Sequence, residues 1–593
     1  MPPHPRLRAV WHAADALRPG AGRAKLVIPP PVSLSPAAPA PSLLIMPTSR
    51  LLLVVVVLLV ACRDDITATN PPDTTAPNPQ GVSVLTQHND NTRAGLNDNE
   101  TLLTTGNVNL ARFGKLFTMP VDDQVYAQPL VAGKVNVGGA PHNVVYVATV
   151  NNTLYAFDGD NGKLYWQKNF TASGMRPPTN VDMTGACGGQ YSDFSGRIGI
   201  VGTPVIDAAS HTIYFIARST NGTSFVQDLH AVDILSGTDI ATPTRIAATY
   251  SGNGDGSVNG VISFDARKQN QRQALTLVNG VVYVSFASHC DWGPYHGWIL
   301  GYDAGTLQQK VVYNATPDGY SAGMWESGNG MAADAAGDLY VVTGNGSVGI
   351  SGDPTSPRNR GESALKLTRS GTTLQVASYF TPWNYEYLES RDLDYGGMGA
   401  FLIPNSNFFL TGSKDATLYL LNKDAMGGYT PGANQVQQTI SLSANASVHC
   451  QPAYYKGAEK EYVYVWSEND PLRAIPFDRT ANRLDRNGEI NVFGGGPTGE
   501  SGAVLSVSSN GTTPGTGILW ASYASSGDAN HSISPGILRA FDAADVTKEL
   551  WNNRQNAARD NAGYYAKFSA PTIANGRVYL ATFSNQVVVY GPR

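Results

Sequence analysis

The sequence is poor in charged residues and cysteine, and it lacks any long apolar run. Charged residues make up 15% of the 593 residues, and the formal net charge is −5. There is no long basic run, so no nucleic-acid partner is expected, because such partners require a basic surface. No apolar run reaches the roughly 18 residues of a membrane-spanning helix, so none is expected. The four cysteines include no Cys-x-x-Cys-His, so no covalently attached c-type haem is expected either.

Glycine and tyrosine, by contrast, are abundant, with 62 and 28 residues. This composition favours many short strands joined by tight turns. The stretch Val144–Gln167, VVYVATVNNTLYAFDGDNGKLYWQ, predicts three short antiparallel strands. Asn151-Asn152 forms the first turn, because Asn tolerates the positive φ of tight hairpins. Both faces of the first strand are largely apolar, so a sheet of this kind must be covered on both sides.

The first 80 residues predict segments that precede the folded part of the protein. Residues 1–45 are rich in Pro, Ala and Arg and have no apolar periodicity, which indicates a disordered leader or an extension upstream of a true start at Met46. Residues 46–61 combine a basic start with the apolar run Leu51–Val60, which is typical of a secretory signal peptide. The alternative is a short buried strand or helix.

A cysteine follows this segment directly. The sequence Leu59-Val60-Ala61-Cys62 resembles the bacterial lipobox, which implies cleavage before Cys62 and acylation of that residue. Residues 62–80 are rich in Thr, Pro, Asn and Asp and predict a disordered tether, because they have little to bury. The folded body is expected over residues 81–593. Together these features predict a lipid-anchored protein of the bacterial cell envelope, outside the cytoplasm, in the periplasm or at the outer membrane.

Repeats organise the rest of the chain. Each begins with a small residue, Gln or Pro and an apolar triplet, continues through a turn, and enters a strand rich in Tyr and Val. The eight repeats begin at Gln128, Thr203, Gln273, Gly330, Gly399, Gln451, Gly502 and Ala570. The last repeat ends at Tyr590 without an outer strand, whereas Phe113–Val121 is a strand with no repeat of its own. We therefore predict an all-β ring of eight sheets that the N-terminal strand closes.

The motif AFDGDNGKLYW resembles the docking motif of pyrroloquinoline-quinone-type (PQQ-like) propeller repeats, with Ala156, Asp158, Gly162 and Trp166 at the matching positions. A looser copy lies at Ala540 to Trp551. The resemblance implies an eight-bladed β-propeller like that of quinoprotein alcohol dehydrogenases. Its superfamily includes both such dehydrogenases and cofactor-free scaffolds, among them the lipoprotein of the outer-membrane β-barrel assembly machine. The segment QHNDNTRAG near the start of the body also looks typical of uncharacterised secreted propellers.

Residues just before the inner strands of a propeller converge on one mouth of its central channel. In this sequence they form a mixed set of cations, carboxylates, amides and aromatics. The candidate ligand-binding residues are Gln128, Arg272, Trp325, Glu326, His449, Gln451, Glu500 and Lys567. Such a set suits an anionic or polyhydroxylated ligand, since Arg pairs with carboxylates and Trp with rings. The alternative is a solvated mouth of ordinary turn residues.

The stretch SHCDWGPYHGW in repeat three is a second dense cluster, with His289, Asp291 and His296 as its polar side chains. Their spacing matches no metal motif, so we predict a structured polar loop, held by Trp packing and His–Asp hydrogen bonds, and no metal site. A Gly-rich loop around Asp255 resembles the start of a calcium loop, but Phe264 stands where a bidentate Glu is required.

Three cysteines remain if Cys62 is acylated, namely Cys187, Cys290 and Cys450. One disulfide and one odd thiol are expected outside the cytoplasm, and the pairing stays open. No two cysteines are adjacent, whereas quinoprotein alcohol dehydrogenases typically carry a vicinal disulfide. This absence weakens the redox interpretation.

Two functional hypotheses follow. The first is a binding or scaffold module of the cell envelope, attached to the membrane by its lipid, with an envelope protein or a saccharide as ligand and no firmly expected cofactor. The alternative is a quinoprotein-like dehydrogenase of alcohols or sugars that uses pyrroloquinoline quinone (PQQ) with calcium. In that case Trp325 would stack on the quinone, Arg272 and Lys567 would hold its carboxylates, and Glu326 or Glu500 would act as ligand or base. Whether the protein is an enzyme stays open.

Overall fold

Eight sheets follow one another along the chain, one for each repeat, and are arranged as an eight-bladed β-propeller. This confirms the predicted fold class. The computed structural model describes residues 81–593. The predicted leader, the signal peptide, Cys62 and the tether lie outside the described residues.

The blades are numbered from the first repeat. The strands of blades 1 to 4 are Leu130–Val137, Ala140–Ala148, Thr153–Asp158 and Leu164–Asn169; Val205–Asp207, Thr212–Thr220, Phe225–Asp233 and Thr244–Arg245; Gln269–Asn270, Thr276–Val278, Val281–Ser288, Trp298–Asp303 and Gln309–Asn314; and Ala332–Ala333, Leu339–Val342, Ala364–Ser370 and Thr373–Phe380. Those of blades 5 to 8 are Phe401–Leu402, Phe408–Ser413, Thr417–Asn422 and Gln438–Ser441; Ala453–Lys456, Glu461–Val465, Leu472–Asp478, Arg483–Leu484 and Ile490–Val492; Val504–Ser508, Ile518–Ala524, Gly536–Asp542 and Glu549–Asn552; and Thr572–Ala574, Arg577–Ala581, Gln586–Pro592 and Phe113–Pro120.

A few elements lie outside the blades. The short strand Leu96–Asn97 adds to blade 7, and a hairpin of Thr249–Ser251 and Val261–Ser263 stands alone. The α-helices over residues 81–593 are Tyr385–Ser390 and Ala557–Asp560, and the 3-10 turns are Asn180–Asp182, Ala186–Gly189, Glu326–Gly328 and Arg486–Gly488. None of the helices in this part of the chain has the length and apolar character needed to cross a bilayer.

The apolar cores lie between the blades, because each sheet buries both of its faces. In the second strand of blade 1, Val145 and Val147 pack into a core that contains Val589 of blade 8. The intervening Tyr146 packs into a different core, which contains Phe215 of blade 2. Alternate side chains of one strand therefore bind two neighbouring blades, as the two apolar faces predict.

The docking motif of blade 1 joins it to blade 2. Asp158 closes the turn by accepting a hydrogen bond from Asp160 N at 2.9 Å. Trp166 Nε1 donates to Ile234 O of blade 2 at 3.1 Å. Its ring covers Gly237, where a Cβ would come within 2.6 Å of the indole. The equivalent turn of the next blade therefore needs a glycine beneath the tryptophan.

The ring closes through strands from the two ends of the described chain. Phe113–Pro120 pairs antiparallel with Gln586–Pro592, and Phe113 lies opposite Pro592. Blade 8 thus takes its outer strand from the N-terminal part of the body, which confirms the predicted closure. Closure leaves no blade with an uncovered face.

Residues 82–97, which we call the N-terminal plug, fill the channel and contact the inner edge of every blade. Inner strands of adjacent blades contact one another from blade 2 to blade 4 and from blade 6 through blade 8 to blade 1. The plug atoms that bond to blades 1 to 8 in turn are Val84 N and O, Leu85 O, Asn91 Nδ2, Asn91 O, Thr92 O, Ala94 O, Gly95 O and Asn97 Nδ2. Their partners are Val131, Ile206, Leu277, Ala333, Leu402, Tyr454, Val507 and Ile573. The segment QHNDNTRAG, for which the sequence suggested no structural role, is the centre of this plug.

Arg93 is the fully buried cation at the core of the plug. Its Nη1 donates to Thr86 Oγ1 at 2.9 Å and to Gln87 O at 2.8 Å, and its Nη2 donates to Thr276 Oγ1 at 2.7 Å. Its Nε and Nη2 also reach Met331 O. Burial lowers the pKa of Arg93 to about 10, so it stays protonated at neutral pH. One side chain therefore joins the plug to blades 3 and 4.

We expect Arg93→Ala to lower the free energy of unfolding by about 3 kcal/mol or more, because it leaves buried carbonyl and hydroxyl groups without donors. The measurement is urea denaturation followed by tryptophan fluorescence. Arg112→Ala is the matched control, since Arg112 is exposed, and it should change stability by about 0.5 kcal/mol at most. Equal effects of the two substitutions would contradict an integral role for the plug.

Candidate functional site

The predicted mouth residues occupy two levels of the channel. Gln128 and Gln451 are buried at the lower level, where the plug takes their side chains. Gln128 Oε1 accepts from His88 N, and Gln451 Oε1 accepts from Gln87 Nε2, both at 3.0 Å. These two glutamines therefore form part of the closed floor beneath the mouth and are not free to bind a ligand from solvent.

Glu326 is also withdrawn from the mouth, with no exposed surface. Its Oε1 accepts a hydrogen bond from Val342 N at 3.1 Å, and its Oε2 has no partner in the described chain. Burial raises the pKa of Glu326 to about 8, so the carboxyl is largely protonated at neutral pH. A ligand at the mouth cannot reach it without rearrangement of blade 4.

Arg272 stands at the upper level, held between two aromatic rings. Its guanidinium carbon lies 5.2 Å from the ring centroid of Trp325 and 4.9 Å from that of Phe568. Nε donates to Trp325 O at 3.0 Å, which fixes the plane of the group. Neither Nη atom has a hydrogen-bond acceptor among residues 81–593. The fork of the guanidinium is thus oriented and unpaired.

Lys567 lies beside Arg272 in the mouth, and its ammonium group is fully hydrogen-bonded. Its Nζ donates to Asp193 O, to Asn530 O at 2.7 Å and to Asn530 Oδ1 at 3.0 Å. These acceptors use all three ammonium protons. Burial lowers the pKa of Lys567 to about 8. The side chain therefore ties the loops of Asp193 and Asn530 to blade 8.

Glu500 and His449 complete the predicted set. His449 Nδ1 pairs with Glu468 Oε1 at 2.9 Å. Glu500 has no hydrogen bond or ion pair of its own in the described part of the chain. Burial opposes its ionisation, but the charges of His449, Lys567 and Lys414 hold its pKa below the usual range. Glu500 is therefore an ionised carboxylate without a direct partner.

The mouth also contains residues that the sequence analysis did not find, namely three aspartates in loops between blades and Lys414 in a turn within blade 5. Lys414 Nζ pairs with Asp394 Oδ2 at 2.6 Å and lies 3.4 Å from Asp392 Oδ1. Asp193 comes from the long loop between blades 1 and 2. These positions follow no repeat spacing, because the loops differ in length from blade to blade. The length of the inter-blade loops is the sequence feature that points to the three aspartates, whereas no such feature points to Lys414.

The second predicted cluster does not converge. His289 accepts from Arg218 Nη2 and donates to the Tyr191 hydroxyl oxygen, both at 2.7 Å. Burial, together with the Arg218 charge, keeps its pKa well below the usual value, so the ring is neutral. His296 instead bonds Asp255 O at 2.8 Å, and Asp291 accepts from the Tyr295 hydroxyl. The expected His–Asp hydrogen bonds are therefore not formed within this loop.

No group of three His, Cys, Asp or Glu side chains in residues 81–593 is placed to hold a metal ion. The Gly-rich loop around Asp255 instead joins the strands of the separate hairpin Thr249–Ser251 and Val261–Ser263. Its main chain packs on the loop between blades 3 and 4, where Asp255 N donates to Gly319 O at 2.8 Å.

A disulfide between Cys187 and Cys290 joins the polar loop of His289 and Asp291 in blade 3 to the loop between blades 1 and 2. Among residues 81–593, Cys450 is the cysteine left unpaired, and it is buried. The sequence left this pairing open. The bridged loop carries Tyr191 and Asp193 to the mouth, so the disulfide supports one wall of the site.

The residues of the mouth do not fit a stacked quinone as they are arranged. The Arg272 guanidinium lies over one face of the Trp325 ring, so a quinone cannot stack on that face. The cavity beneath, lined by Tyr126, Phe194, Arg272 and Phe568 among others, leaves about 20 Å³ for the centres of water molecules. That volume holds one or two waters, whereas pockets for ring-sized ligands measure hundreds of Å³.

Comparisons with known proteins agree with this fold. Residues 117–201 match the family model described as outer membrane protein assembly factor BamB. The quinohemoprotein alcohol dehydrogenase of Comamonas testosteroni aligns with a TM-score of 0.54 and 13% identity over 86% of this chain and 80% of that chain. The chain therefore shares the propeller fold of that enzyme, and residues 117–201 resemble the BamB family model.

Quinohemoprotein alcohol dehydrogenase ADHIIG of Pseudomonas putida HK5 aligns with this chain at a TM-score of 0.50 and 13% identity, with the same two coverages. No curated protein matches the sequence. At this identity the likeness extends to the fold alone. It does not distinguish a scaffold from a dehydrogenase.

We expect Glu326→Gln to remove a pH dependence of stability. Glu326 keeps its proton in the folded protein up to about pH 8, whereas the unfolded chain releases it near pH 4.5. The folded state therefore binds more protons between these values, and wild-type stability falls as the pH rises through that window. The substitution should reduce the loss between pH 5 and pH 8 by about 2–4 kcal/mol.

The measurement is urea denaturation at both pH values. The exposed Glu459→Gln is the control and should keep the wild-type dependence. An unchanged pH dependence in Glu326→Gln would show that Glu326 is ionised in the folded protein.

The double substitution Cys187→Ser/Cys290→Ser should lower the free energy of unfolding by about 2–4 kcal/mol, since the bridge closes a loop across 103 residues. Reduction of the wild type with dithiothreitol should reproduce this loss when measured by thermal unfolding. Wild-type stability in the double variant would contradict a stabilising role for the disulfide.

Proposed function

We propose that this PQQ-like propeller is a binding or scaffold module of the bacterial cell envelope. The observation that carries the proposal is the position of Arg272, which fills the stacking place on Trp325 and still presents a free guanidinium fork. A mouth of this kind binds polar groups by hydrogen bonds and charge without a stacked cofactor. The plug below it closes the other end of the channel.

The sequence supports this location. The signal-peptide pattern of residues 46–61 and the lipobox at Cys62 support an acylated protein outside the cytoplasm. The partner is then an envelope protein or a saccharide. The family-model match to residues 117–201 supports a protein partner.

The lipid anchor has a direct test. Cys62→Ser expressed in a Gram-negative host should leave the membrane fraction and lose incorporation of radiolabelled palmitate, because its acylation site is gone. Cys450→Ser is the control and should stay with the membrane. Palmitate labelling of Cys62→Ser equal to wild type would contradict the proposed anchor.

The alternative function is a dehydrogenase that uses PQQ with calcium. For this function Arg272 would have to leave Trp325 and bind a carboxylate of the quinone, with Lys567 nearby and Glu500 as the base. PQQ would supply two-electron oxidation of an alcohol or sugar. The likeness to quinohemoprotein alcohol dehydrogenases is the observation in its favour, although it concerns fold.

One titration separates the two functions. Purified protein is mixed with PQQ and calcium, and absorbance and dye-linked oxidation of alcohols and sugars are followed. We expect no saturable binding and no turnover, because Arg272 blocks the ring. Arg272→Ala is the matched variant, since it uncovers Trp325 while leaving the other mouth residues in place. Saturable binding with turnover by the wild type would overturn the binding-module proposal.

A further inference from the structure

The two unpaired Nη atoms of Arg272 indicate which chemical group one end of a ligand carries. Stacking between Trp325 and Phe568 and the bond from Nε to Trp325 O hold the guanidinium in one orientation. Both Nη atoms remain available at a wall of the cavity. Two parallel N–H donors in a fixed plane match the two oxygens of a carboxylate. Lysine could not replace this geometry, because its ammonium is a point charge.

A second, independent group points into the same cavity. Tyr126 is 5% exposed and lines the cavity with Arg272, and its hydroxyl interacts with Ser195. A phenol hydroxyl both donates and accepts, so its O–H can still donate to a further partner. A carboxylate oxygen entering the cavity can accept this hydrogen bond. The small volume admits such a head group and leaves the rest of the ligand in the open mouth.

Two acidic side chains indicate the other half of the ligand. Asp193 lines the cavity beside Arg272, and His531 Nε2 lies 3.6 Å from its Oδ1. Glu500 lies within the same field of charges and has no direct partner among the described residues. Lys567 does not neutralise them by contact, because its three protons go to amide and carbonyl oxygens. A cationic group of the ligand can pair with these carboxylates.

The balance of charge decides between ligand classes. The acidic side chains around the mouth are Asp193, Asp392, Asp394, Glu468, Glu500 and Asp528, and the basic ones are Arg272, Lys414, Lys567, His449 and His531. Acidic side chains outnumber basic ones. A ligand whose only charge is a carboxylate is therefore repelled by the mouth everywhere except beside Arg272. An ammonium beside the carboxylate removes this penalty. An acidic saccharide lacks that group.

We infer that the mouth binds a small zwitterion, an α-amino acid, with its carboxylate on Arg272 and Tyr126 and its ammonium toward Asp193 and Glu500. This inference rests on the proposed binding function and names its ligand. The side chain of the amino acid would face the solvent. The site should therefore select the charged pair more strongly than the side chain.

Isothermal titration calorimetry of the purified lipid-free protein tests this with four probes. L-alanine carries both charges, L-lactate replaces the ammonium with a hydroxyl, ethylamine lacks the carboxylate, and glucuronate is an acidic saccharide. We expect saturable binding of alanine and affinities at least about tenfold lower for the other three, since each leaves a charged group of the site unpaired. No binding of alanine, or equal binding of lactate or glucuronate, would overturn the inference.

Variants locate the site in the same assay. Arg272→Lys and Asp193→Asn should each weaken alanine binding by about tenfold or more, whereas the distant Arg112→Ala should not change it. Unchanged affinity in Arg272→Lys would place the ligand elsewhere and overturn the assignment. The comparison of probes on the wild type decides the question even if a variant fails to fold.

The alanine and PQQ titrations distinguish failure of this inference from failure of the proposed function. Failure of alanine to bind, with a flat PQQ titration, removes only the amino-acid ligand. Turnover with PQQ removes the binding-module function itself.

Discussion

The structure depends on one constraint, which is that every sheet has two apolar faces and neither can be left in water. Each blade can hide both faces only against the two blades beside it, as alternate side chains around Tyr146 do. Eight sheets satisfy this condition together only when the ring closes. The pairing of Phe113–Pro120 with Gln586–Pro592 provides the last face.

Closing the ring creates a second problem at its axis. The inner strands leave main-chain donors and acceptors along a channel, and such groups need partners when buried. The N-terminal plug supplies them, one blade after another, and Arg93 joins the plug to blades 3 and 4. The channel therefore has a closed floor, and only the mouth above it is available for binding.

Similarity of fold leaves the chemistry of the mouth to its individual side chains. Quinohemoprotein dehydrogenases share the propeller, but here Arg272 lies on Trp325 and the cavity beneath holds little more than water. The polar groups that remain open are a guanidinium, a phenol and two carboxylates. These groups suit a small charged ligand that makes several hydrogen bonds. Fold therefore positions the mouth, while individual loop residues decide what enters it.

The repeat pattern predicted most of the architecture, because burial on both faces imposes the same alternation of Tyr and Val in every blade. Number of blades, strand order and closure all followed from that alternation and from the unpaired strand at Phe113. Convergence of Arg272, Trp325, His449, Glu500 and Lys567 on one mouth also followed, since each precedes an inner strand. Gln128, Gln451 and Glu326 share that position in sequence, yet they lie below the mouth or inside blade 4.

Local sequence thus determined the strands, the turns and the order of the blades, since these depend on neighbouring residues and on a repeated pattern. Contacts between distant segments were decided only in the folded chain. The plug of residues 82–97, the Cys187–Cys290 bridge and the arrival of Asp193 at the mouth each join parts of the sequence that no spacing relates. The physical reason is that such contacts depend on loop paths and on which buried polar groups lack a partner, and both exist only in three dimensions.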